Sequence, residues 1–340
     1  MKDSQVVAKR QSVAVLGAGS WGTALALVLA RNGHETTLWG HRTGHVEQMV
    51  QHRCNQRYLP GIVFPDVLTV SSSISEALSK STSIVIAVPS HAFREVVQAI
   101  AAAECSARHC IWASKGFESG SGKLLHTVFL EEVGEDKPYG VISGPTFAAE
   151  VAAELPTAVT IAASSTSAAN FFAQLFHNEN FRVYTNSDVA GVEVGGALKN
   201  VFAIAAGISD GLGFGANARA ALVTRGIAEM ARFGVTMGGV QETFMGLSGV
   251  GDLLMTCTDD QSRNRRFGLA LGRGETIDAA MASIDQVVEG YQATLEAHRC
   301  ADDNDIEMPI VEQVYQVLYS DRKPADAVHQ LLGREQKSEV

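Results

Sequence analysis

The chain is poor in cysteine and carries no excess of positive charge. Its five cysteines in 340 residues show neither CxxC nor zinc-finger spacing, which argues against a disulfide framework and favours a reducing, cytoplasmic setting. The net charge of −10 makes nucleic acid and anionic membranes poor partners. Residues 1–10 are polar and no uninterrupted apolar run is long enough to cross a bilayer, so we expect neither a signal peptide nor membrane insertion. The cysteines are Cys54, Cys105, Cys110, Cys257 and Cys300.

The chain does have an ordinary globular composition, and its length suits two domains with separate cores. The first half alternates short apolar runs with helical stretches, which is typical of a parallel doubly wound sheet. We predict strands at Val13–Leu16, Thr36–Trp39, Ile84–Val88, Cys110–Ala113 and Val141–Ser143, with Thr157–Ala162 and Phe181–Tyr184 extending the sheet. We predict helices at Ala92–Ala102, Leu124–Val133, Val192–Ile208, Ala216–Phe233, Gln241–Phe244, Arg263–Leu271, Ile277–Met281, Gln292–Arg299 and Val311–Tyr319.

A glycine-rich turn follows the first predicted strand directly. Gly17, Gly19 and Gly22 form a G-x-G-x-x-G motif between that strand and a helical stretch rich in alanine and leucine. In this setting the first glycine permits the turn, the second lets the backbone approach a pyrophosphate, and the third allows close packing of helix and strand. The alternative is a glycine-rich turn that binds nothing. The motif predicts a Rossmann-like dinucleotide-binding domain over residues 1–190 of an α/β protein. The long helical stretches that dominate after about Val189 predict a substrate-binding, all-helical domain over 191–340, with the active site between the two domains.

The end of the second predicted strand indicates which dinucleotide binds. A site that prefers NAD places an acidic residue about 20 residues past the glycines, to bind the ribose 2′-hydroxyl. This chain has His41 and Arg42 there, and its next acid is Glu47. Because Arg42 can pair with a 2′-phosphate, we predict NADP(H), with some use of NAD(H) as well. The alternative is that both side chains are solvated loop residues.

One lysine lies within an otherwise apolar helical stretch. In Val194–Ala206 only Lys199 and Asn200 are polar. Burial lowers the pKa of a lysine and can bring it close to neutral pH, where the amine works as a general acid or base. The alternative is a structural lysine that extends along the helix until its ammonium reaches solvent.

Three other segments hold candidate binding residues. Lys115 follows a predicted strand, and Gly144 and Thr146 follow another, where they can donate hydrogen bonds to a substrate oxygen. Ser262, Arg263 and Asn264 open a predicted helix, which suits a phosphate because helix N-termini attract anions. The alternative for this basic run is a solvated charged face, paired with the acidic residues at 259 and 260.

Together these segments resemble the bacterial type of NAD(P)-dependent glycerol-3-phosphate dehydrogenase over nearly the whole chain. The resemblance lies in GAGSWGTALA, LWGHR, YLPG, AVPSHAFREV, SKGFE, SGPTFAAEV, GGALKNVFAIAAG, GFGANARAALVTRG, GDLLMTCT, SRNRRFG and VVEGY. It implies cofactor contacts at Ser20, Trp21, His41, Arg42, Tyr58, Lys115, Ala148, Arg263, Val287 and Glu289. It implies that Lys199 transfers a proton and that glycerol 3-phosphate is held by Lys115, Gly144, Thr146, Lys199, Asp252, Ser262, Arg263 and Asn264.

The implied reaction is the reversible reduction of dihydroxyacetone phosphate to sn-glycerol 3-phosphate, which feeds glycerophospholipid synthesis. We also expect Asn200 to orient the substrate oxygens. Asp252 either orients Lys199 or binds a substrate hydroxyl. We expect no metal, because the lysine can polarise the carbonyl and the sequence has no evident ligand cluster. Two alternatives are another two-domain hydroxyacid or sugar-acid dehydrogenase and a non-catalytic NADP(H)-sensing module. A homodimer is expected because two-fold dimers are the commonest assembly.

Overall fold

The computed structural model describes residues 10–103, 107, 109–284 and 287–333. Cys105 and the polar N-terminal residues 1–9, on which the expectation about a signal peptide rests, lie outside the described residues. The described residues form two compact units, one within Met1–Ser114 and His126–Val189, the other within Lys115–Leu125 and Ala190–Val340. The first unit contains the sheet and the second is helical, so the predicted fold class is confirmed.

The first unit is built around one β-sheet. Its strands are β1 (Ser12–Leu16), β2 (Glu35–Trp39), β3 (Leu68–Ser71), β4 (Ser83–Ile86), β5 (His109–Trp112), β6 (Tyr139–Ser143), β7 (Thr157–Ala163) and β8 (Phe181–Asn186). The helices in this part of the chain are α1 (Ser20–Arg31), α2 (Thr43–His52), α3 (Ile74–Ser79), α4 (Phe93–Ala102), α5 (Leu125–Val133), α6 (Ala148–Ala152) and α7 (Thr166–Phe176). The strand order is β3-β2-β1-β4-β5-β6-β7-β8.

The direction of the strands places the glycine turn after β1 and the residues after β2 on the same side of the sheet. Strands β1 to β6 run parallel, so their carboxyl ends lie on the same side. The order reverses between β1 and β4, which is where open α/β sheets bind their ligands. Strand β1 and helix α1 are almost wholly buried, and their apolar side chains form the centre of this unit's core.

Several details of the sheet differ from the sequence prediction. Strand β3 was not predicted, because Leu68–Ser71 contains only two apolar residues among polar ones. Strand β7 pairs antiparallel with β6, as Ser143 opposite Thr160 shows, so the sheet is mixed rather than wholly parallel. The alternation of side chains serves both strand directions equally well, and the strand's own residues do not encode its direction. Strand β4 ends at Ile86 rather than Val88.

The second unit is a set of helices packed around α8. They are α8 (Val189–Gly211), α9 (Gly215–Thr236), α10 (Asp252–Thr258), α11 (Arg263–Gly272), α12 (Ile277–Ala282), α13 (Glu289–Asp303), α14 (Pro309–Tyr319) and α15 (Pro324–Leu332). The predicted helix at 241–244 is a 3₁₀ turn, Gln241–Met245. Helix α8 is long and apolar enough to cross a membrane, but 89% of its most apolar window is buried inside the protein. Helix α8 is therefore the core helix of this unit.

Glycines bring α8 and α11 into backbone contact. A Cβ on Gly207 would lie 2.1 Å from the backbone of α11, and a Cβ on Gly268 would lie 2.1 Å from the backbone of α8. Gly211 and Gly272, one helical turn further on, repeat this close approach. A larger side chain at any of the four positions would push the helices apart. The contact holds α11 against the C-terminal part of α8, residues 204–211, which follows the predicted catalytic lysine along the helix.

Candidate active site

Two lysines and one aspartate form a buried charge cluster in the helical unit. The Lys199 ammonium donates to Asp252 Oδ1 over 2.5 Å, and the Lys115 ammonium donates to Oδ2 of the same carboxylate over 2.6 Å. Side-chain exposure is 9% for Lys199, 12% for Lys115 and 0% for Asp252. The structural alternative required the Lys199 ammonium to reach solvent, and the low exposure of the side chain contradicts it. The cluster brings together three of the predicted site residues.

The electrostatics of the cluster suit proton transfer. Burial lowers the pKa of Lys199 to about 8, against the opposing attraction of the Asp252 carboxylate. Burial by itself would raise the pKa of Asp252, but the ammonium groups of Lys115 and Lys199 outweigh it and hold that pKa below its usual value. The cluster is thus a carboxylate between two lysine side chains, and the pKa of Lys199 is brought close to neutral pH.

Each member of the cluster is held by its own element. Lys199 lies in the middle of α8, where every residue from Gly191 to Ser209 is buried. Asp252 begins α10 immediately after a π-helical turn, Leu247–Gly251. Lys115 begins a loop whose Phe117 is buried in the core of this unit. The same loop is tied to α13, because the backbone N–H of Gly120 donates to the Glu296 carboxylate over 2.8 Å.

Thr256 completes the surroundings of Asp252 and was missed by sequence reasoning. Its hydroxyl donates to the Asp252 backbone oxygen over 2.6 Å and lies 3.3 Å from Oδ1 of that residue. The spacing Asp252–Thr256 places both side chains on one face of a helix, and this was the signal available. Helical threonine commonly bonds to the residue four positions earlier, so the pattern alone does not mark a site.

A second polar group links the start of α11 to α8 and α13. The Gly290 backbone N–H donates to Asn264 Oδ1 and the Asn264 amide donates to Asn200 Oδ1, each over 2.9 Å. The Asn200 amide donates to the Glu289 carboxylate over 3.2 Å. Arg263 lies 3.9 Å from the same carboxylate. Four predicted site residues therefore belong to one connected group: Asn200, Arg263, Asn264 and Glu289.

The basic run at the start of α11 divides into two parts. Ser262 caps the helix by accepting the backbone N–H of Arg265 over 3.2 Å. Arg265 is buried against Asp210 over 2.6 Å and also bonds Asp260, so a wholly solvated charged face is the wrong interpretation for it. The Arg263 side chain keeps 34% of its surface exposed, which leaves it accessible to an anion.

The glycine turn of the sheet unit has the backbone geometry that a dinucleotide needs. Gly17 has φ of +125°, and a Cβ there would lie 2.5 Å from the Ala87 backbone oxygen. A Cβ on Gly22 would lie 1.9 Å from the Gly17 oxygen, so α1 packs directly on the turn. At Gly19 a Cβ would meet no described heavy atom within 4 Å, and no described side chain caps α1. Ser20 and Trp21 begin this uncapped helix. The open N-terminus suits a pyrophosphate.

The residues after β2 form an exposed, basic corner. His41 and Arg42 are exposed, and the Arg42 Nε lies 3.3 Å from His41 Nε2. Tyr58 is half-buried, with its ring edge-on to His45 and the Arg57 guanidinium 5.4 Å from its centroid. No acidic side chain directly follows β2, so no carboxylate there would repel the 2′-phosphate of NADP(H).

The remaining predicted residues lie in loops and at helix starts. Gly144 follows β6 with φ of +150°, and the Thr146 hydroxyl donates to its backbone oxygen over 3.2 Å. Ala148 is the first residue of α6 in the same unit. Val287 lies in the helical unit, is 51% exposed and precedes α13. Gly144, Thr146 and Ala148 thus belong to the sheet unit, and Val287 belongs to the helical unit.

Comparison with known proteins is consistent with this geometry. A family model described as the N-terminus of NAD-dependent glycerol-3-phosphate dehydrogenase matches residues 12–169, and one described as its C-terminus matches 188–329. Glycerol-3-phosphate dehydrogenase (NAD(P)+) of Bartonella henselae is 53% identical over 97% of both chains. The protein of that name from Thioalkalivibrio sulfidiphilus is 55% identical over 96% of this chain and 98% of its own.

A solved structure agrees with both relatives. The crystal structure of glycerol-3-phosphate dehydrogenase from Coxiella burnetii is 47% identical, with a TM-score of 0.92 over 96% of this chain and 99% of that one. The two family models together span nearly the whole described chain. The chain therefore belongs to the NAD-dependent glycerol-3-phosphate dehydrogenase family.

Proposed function

We propose that this chain catalyses the reversible reduction of dihydroxyacetone phosphate to sn-glycerol 3-phosphate with NAD(P)H, and so supplies glycerophospholipid synthesis. The observation that carries the proposal is the buried ammonium of Lys199, which is paired with Asp252 and has a pKa close to neutral pH. The names of the relatives support the same activity. Neither the sensing module nor a different hydroxyacid dehydrogenase gains support from a specific observation.

Lys199 is the proposed proton donor. When bound, the reduced nicotinamide supplies the hydride to the ketone carbon. The Lys199 ammonium hydrogen-bonds the ketone oxygen, stabilises the negative charge that develops there and gives that oxygen its proton. Asp252 stays ionised because its pKa is low, so it orients the ammonium groups of Lys199 and Lys115 rather than supplying the proton. In the reverse direction the neutral Lys199 amine takes the hydroxyl proton.

The start of α11 is the proposed phosphate site. Arg263 is partly exposed and presents a guanidinium, whose fork matches two phosphate oxygens. Ser262 and Asn264 contribute the first turn of the helix, while Asn200 orients the substrate oxygens. Gly144 and Thr146 are proposed as further substrate contacts. Binding energy from the phosphate then holds the ketone in place for reaction.

Replacing Arg263 with alanine is expected to raise KM for dihydroxyacetone phosphate about 10- to 100-fold, because a charge-assisted phosphate contact is lost. The free energy of unfolding should change by less than about 1 kcal/mol, since the partly exposed pair with Glu289, 3.9 Å apart, is weak. Arg266→Ala, an exposed arginine on the same helix, is the matched control. Steady-state kinetics that give equal KM values for Arg263→Ala and the control would place the phosphate elsewhere.

The proposed cofactor site comprises the glycine turn with Ser20 and Trp21, the basic corner with His41, Arg42 and Tyr58, and the later residues Lys115, Ala148, Arg263, Val287 and Glu289. We propose that it prefers NADPH, because Arg42 is exposed after β2 and can pair with the 2′-phosphate. Replacing Arg42 with alanine should lower the ratio of kcat/KM for NADPH to that for NADH by about tenfold. Arg182→Ala, an exposed arginine on β8, should leave the ratio unchanged. A wild-type preference for NADH would reject this assignment.

The direct test of the function is the loss of NADPH absorbance with and without dihydroxyacetone phosphate. We expect oxidation only when the ketone phosphate is present, and a screen of hydroxyacids and sugar acids should give far lower rates. NADPH binding without turnover of any substrate would instead favour a sensing module. Failure to bind either nicotinamide cofactor would reject the proposal altogether.

We also propose a cytoplasmic homodimer. The chain has only five cysteines and the four described ones are buried, which suits a reducing compartment. Two-fold dimers are the commonest assembly among soluble proteins. Sedimentation equilibrium at micromolar protein that gave the mass of a single chain would contradict the dimer.

A further inference from the structure

One buried asparagine, Asn55, forms hydrogen bonds on all sides of its carboxamide. Its side-chain nitrogen donates to the Ala18 backbone oxygen over 3.1 Å and to the Thr23 hydroxyl over 2.8 Å. Its oxygen accepts from His45 Nε2 over 2.9 Å and from the Tyr58 backbone N–H over 3.3 Å. Asn55 has no exposed surface, lies outside any helix or strand, and belongs to none of the motifs singled out from the sequence.

The partners determine which way the carboxamide faces. The Ala18 carbonyl can only accept, so the nitrogen of Asn55 must face it, and the Tyr58 N–H can only donate, so the oxygen must face Tyr58. His45 must then carry a proton on Nε2 to donate to the same oxygen. The side chain therefore has one orientation that satisfies every partner. A buried amide with all of its hydrogen bonds made holds its neighbours firmly in place.

Two of the four bonds go to the glycine turn. Ala18 stands between Gly17 and Gly19, and Thr23 is in the first turn of α1. In a trans peptide the carbonyl and the following N–H point in opposite directions. Because Asn55 draws the Ala18 carbonyl toward the interior, it turns the Gly19 N–H away from the interior. At Gly19 a Cβ would enter open space, so that side of the backbone can be approached closely.

The other two bonds go to Tyr58 and to His45, which packs against the Tyr58 ring. His45 is on α2 and contacts the Tyr58 ring edge-on, with centroids 5.4 Å apart. The Tyr58 backbone N–H is shared between the Asn55 backbone oxygen, at 3.2 Å, and the Asn55 side-chain oxygen that also accepts from the His45 ring. One side chain thus connects the pyrophosphate-binding turn to the residue proposed to contact the cofactor from the following loop.

We propose that Asn55 is a positioning residue for the dinucleotide. It clamps the glycine turn to the Tyr58 segment, so that the Gly19 N–H and the Tyr58 ring are presented to the cofactor in one preset arrangement. The inference rests on the proposed cofactor-dependent function. Asn55 acts through the backbone of the turn, and the pyrophosphate is common to NADPH and NADH. Its loss should therefore weaken both cofactors alike, whereas Arg42 acts on the 2′-phosphate alone.

The decisive variant is Asn55→Asp, which preserves the shape and both acceptor contacts but cannot donate to Ala18 or Thr23 when ionised. Fluorescence titration should show Kd for NADPH and for NADH each raised at least about tenfold, with their ratio unchanged. At saturating NADPH, kcat should remain within about threefold of the wild type. Thr23→Val, which keeps the side-chain shape and removes one acceptor, should raise both Kd values about threefold, and serves if Asn55→Asp fails to fold.

Asn178→Asp is the matched control. Its carboxamide donates to Asn32 Oδ1 over 2.8 Å and accepts from the backbone N–H groups of Asn180 and Phe181, so it ties together a loop in the same unit. This control should lower Tm without changing either Kd. Cofactor binding by Asn55→Asp within twofold of the wild type, or equal weakening by the control, would overturn the positioning role alone. Wild-type protein that binds neither cofactor would overturn the proposed function as well.

Discussion

Replacing Lys199 with methionine is expected to lower kcat for dihydroxyacetone phosphate reduction by at least about 1,000-fold. General acid catalysis contributes roughly 100- to 10,000-fold, and electrostatic stabilisation of the developing charge is of similar size. The two effects reside in one ammonium, so their losses do not simply add. Methionine fills much of the buried volume of lysine, which limits damage to the core around α8.

The variant should keep its affinity for NADPH, since Lys199 is proposed to act on the substrate oxygen. Fluorescence titration of NADPH and single-turnover kinetics measure the two effects separately. Lys323→Met, at an exposed position in the same unit, should behave like the wild type in both measurements. Turnover by Lys199→Met within tenfold of the wild-type rate would remove the lysine from the mechanism.

Replacing Asp252 with asparagine is expected to lower kcat at neutral pH about 100-fold and to move the pH profile. If Lys199 is the proton donor, as proposed, ketone reduction by the wild type needs its protonated amine, and kcat for reduction should fall as pH rises through about 8. On the same mechanism, oxidation of glycerol 3-phosphate needs the neutral amine, and its kcat should rise over the same range. Without the Asp252 carboxylate, burial and Lys115 still disfavour the charged Lys199 amine, so its pKa should fall further. The pH at which kcat for reduction declines should therefore move to lower pH.

The measurement is kcat for reduction and for oxidation across neutral and alkaline pH, at saturating substrates. Asp278→Asn, which changes an exposed carboxylate in the first turn of α12, should leave both profiles unchanged. A reduction limb for Asp252→Asn that stays at the wild-type pH would show that Asp252 does not control protonation of Lys199. A move to higher pH would contradict the sign of the proposed electrostatic coupling.

The features that were predictable from the sequence have local causes. The turn at Gly17–Gly22 needs residues without a Cβ at fixed spacing, and the structure shows a positive φ at the first glycine and close packing at the third. Strands such as β1 and β5 are short apolar runs that stand out from their flanking residues. The four-residue strand β3 lacks that contrast, and the antiparallel direction of β7 depends on how its connecting loop returns to the sheet.

By itself the sequence determined the α/β organisation, the dinucleotide turn and the presence of one lysine in an apolar helix, because each depends on residues close together in the chain. Tertiary structure alone decided that Lys199 meets Asp252, 53 residues away, that Lys115 meets it from 137 residues away, and that Asn55 joins the glycine turn from 37 residues away. Burial and charge–charge energies depend on distance in space and on exclusion of water, and only packing sets these two quantities. The same packing brings the pKa of Lys199 near neutral pH.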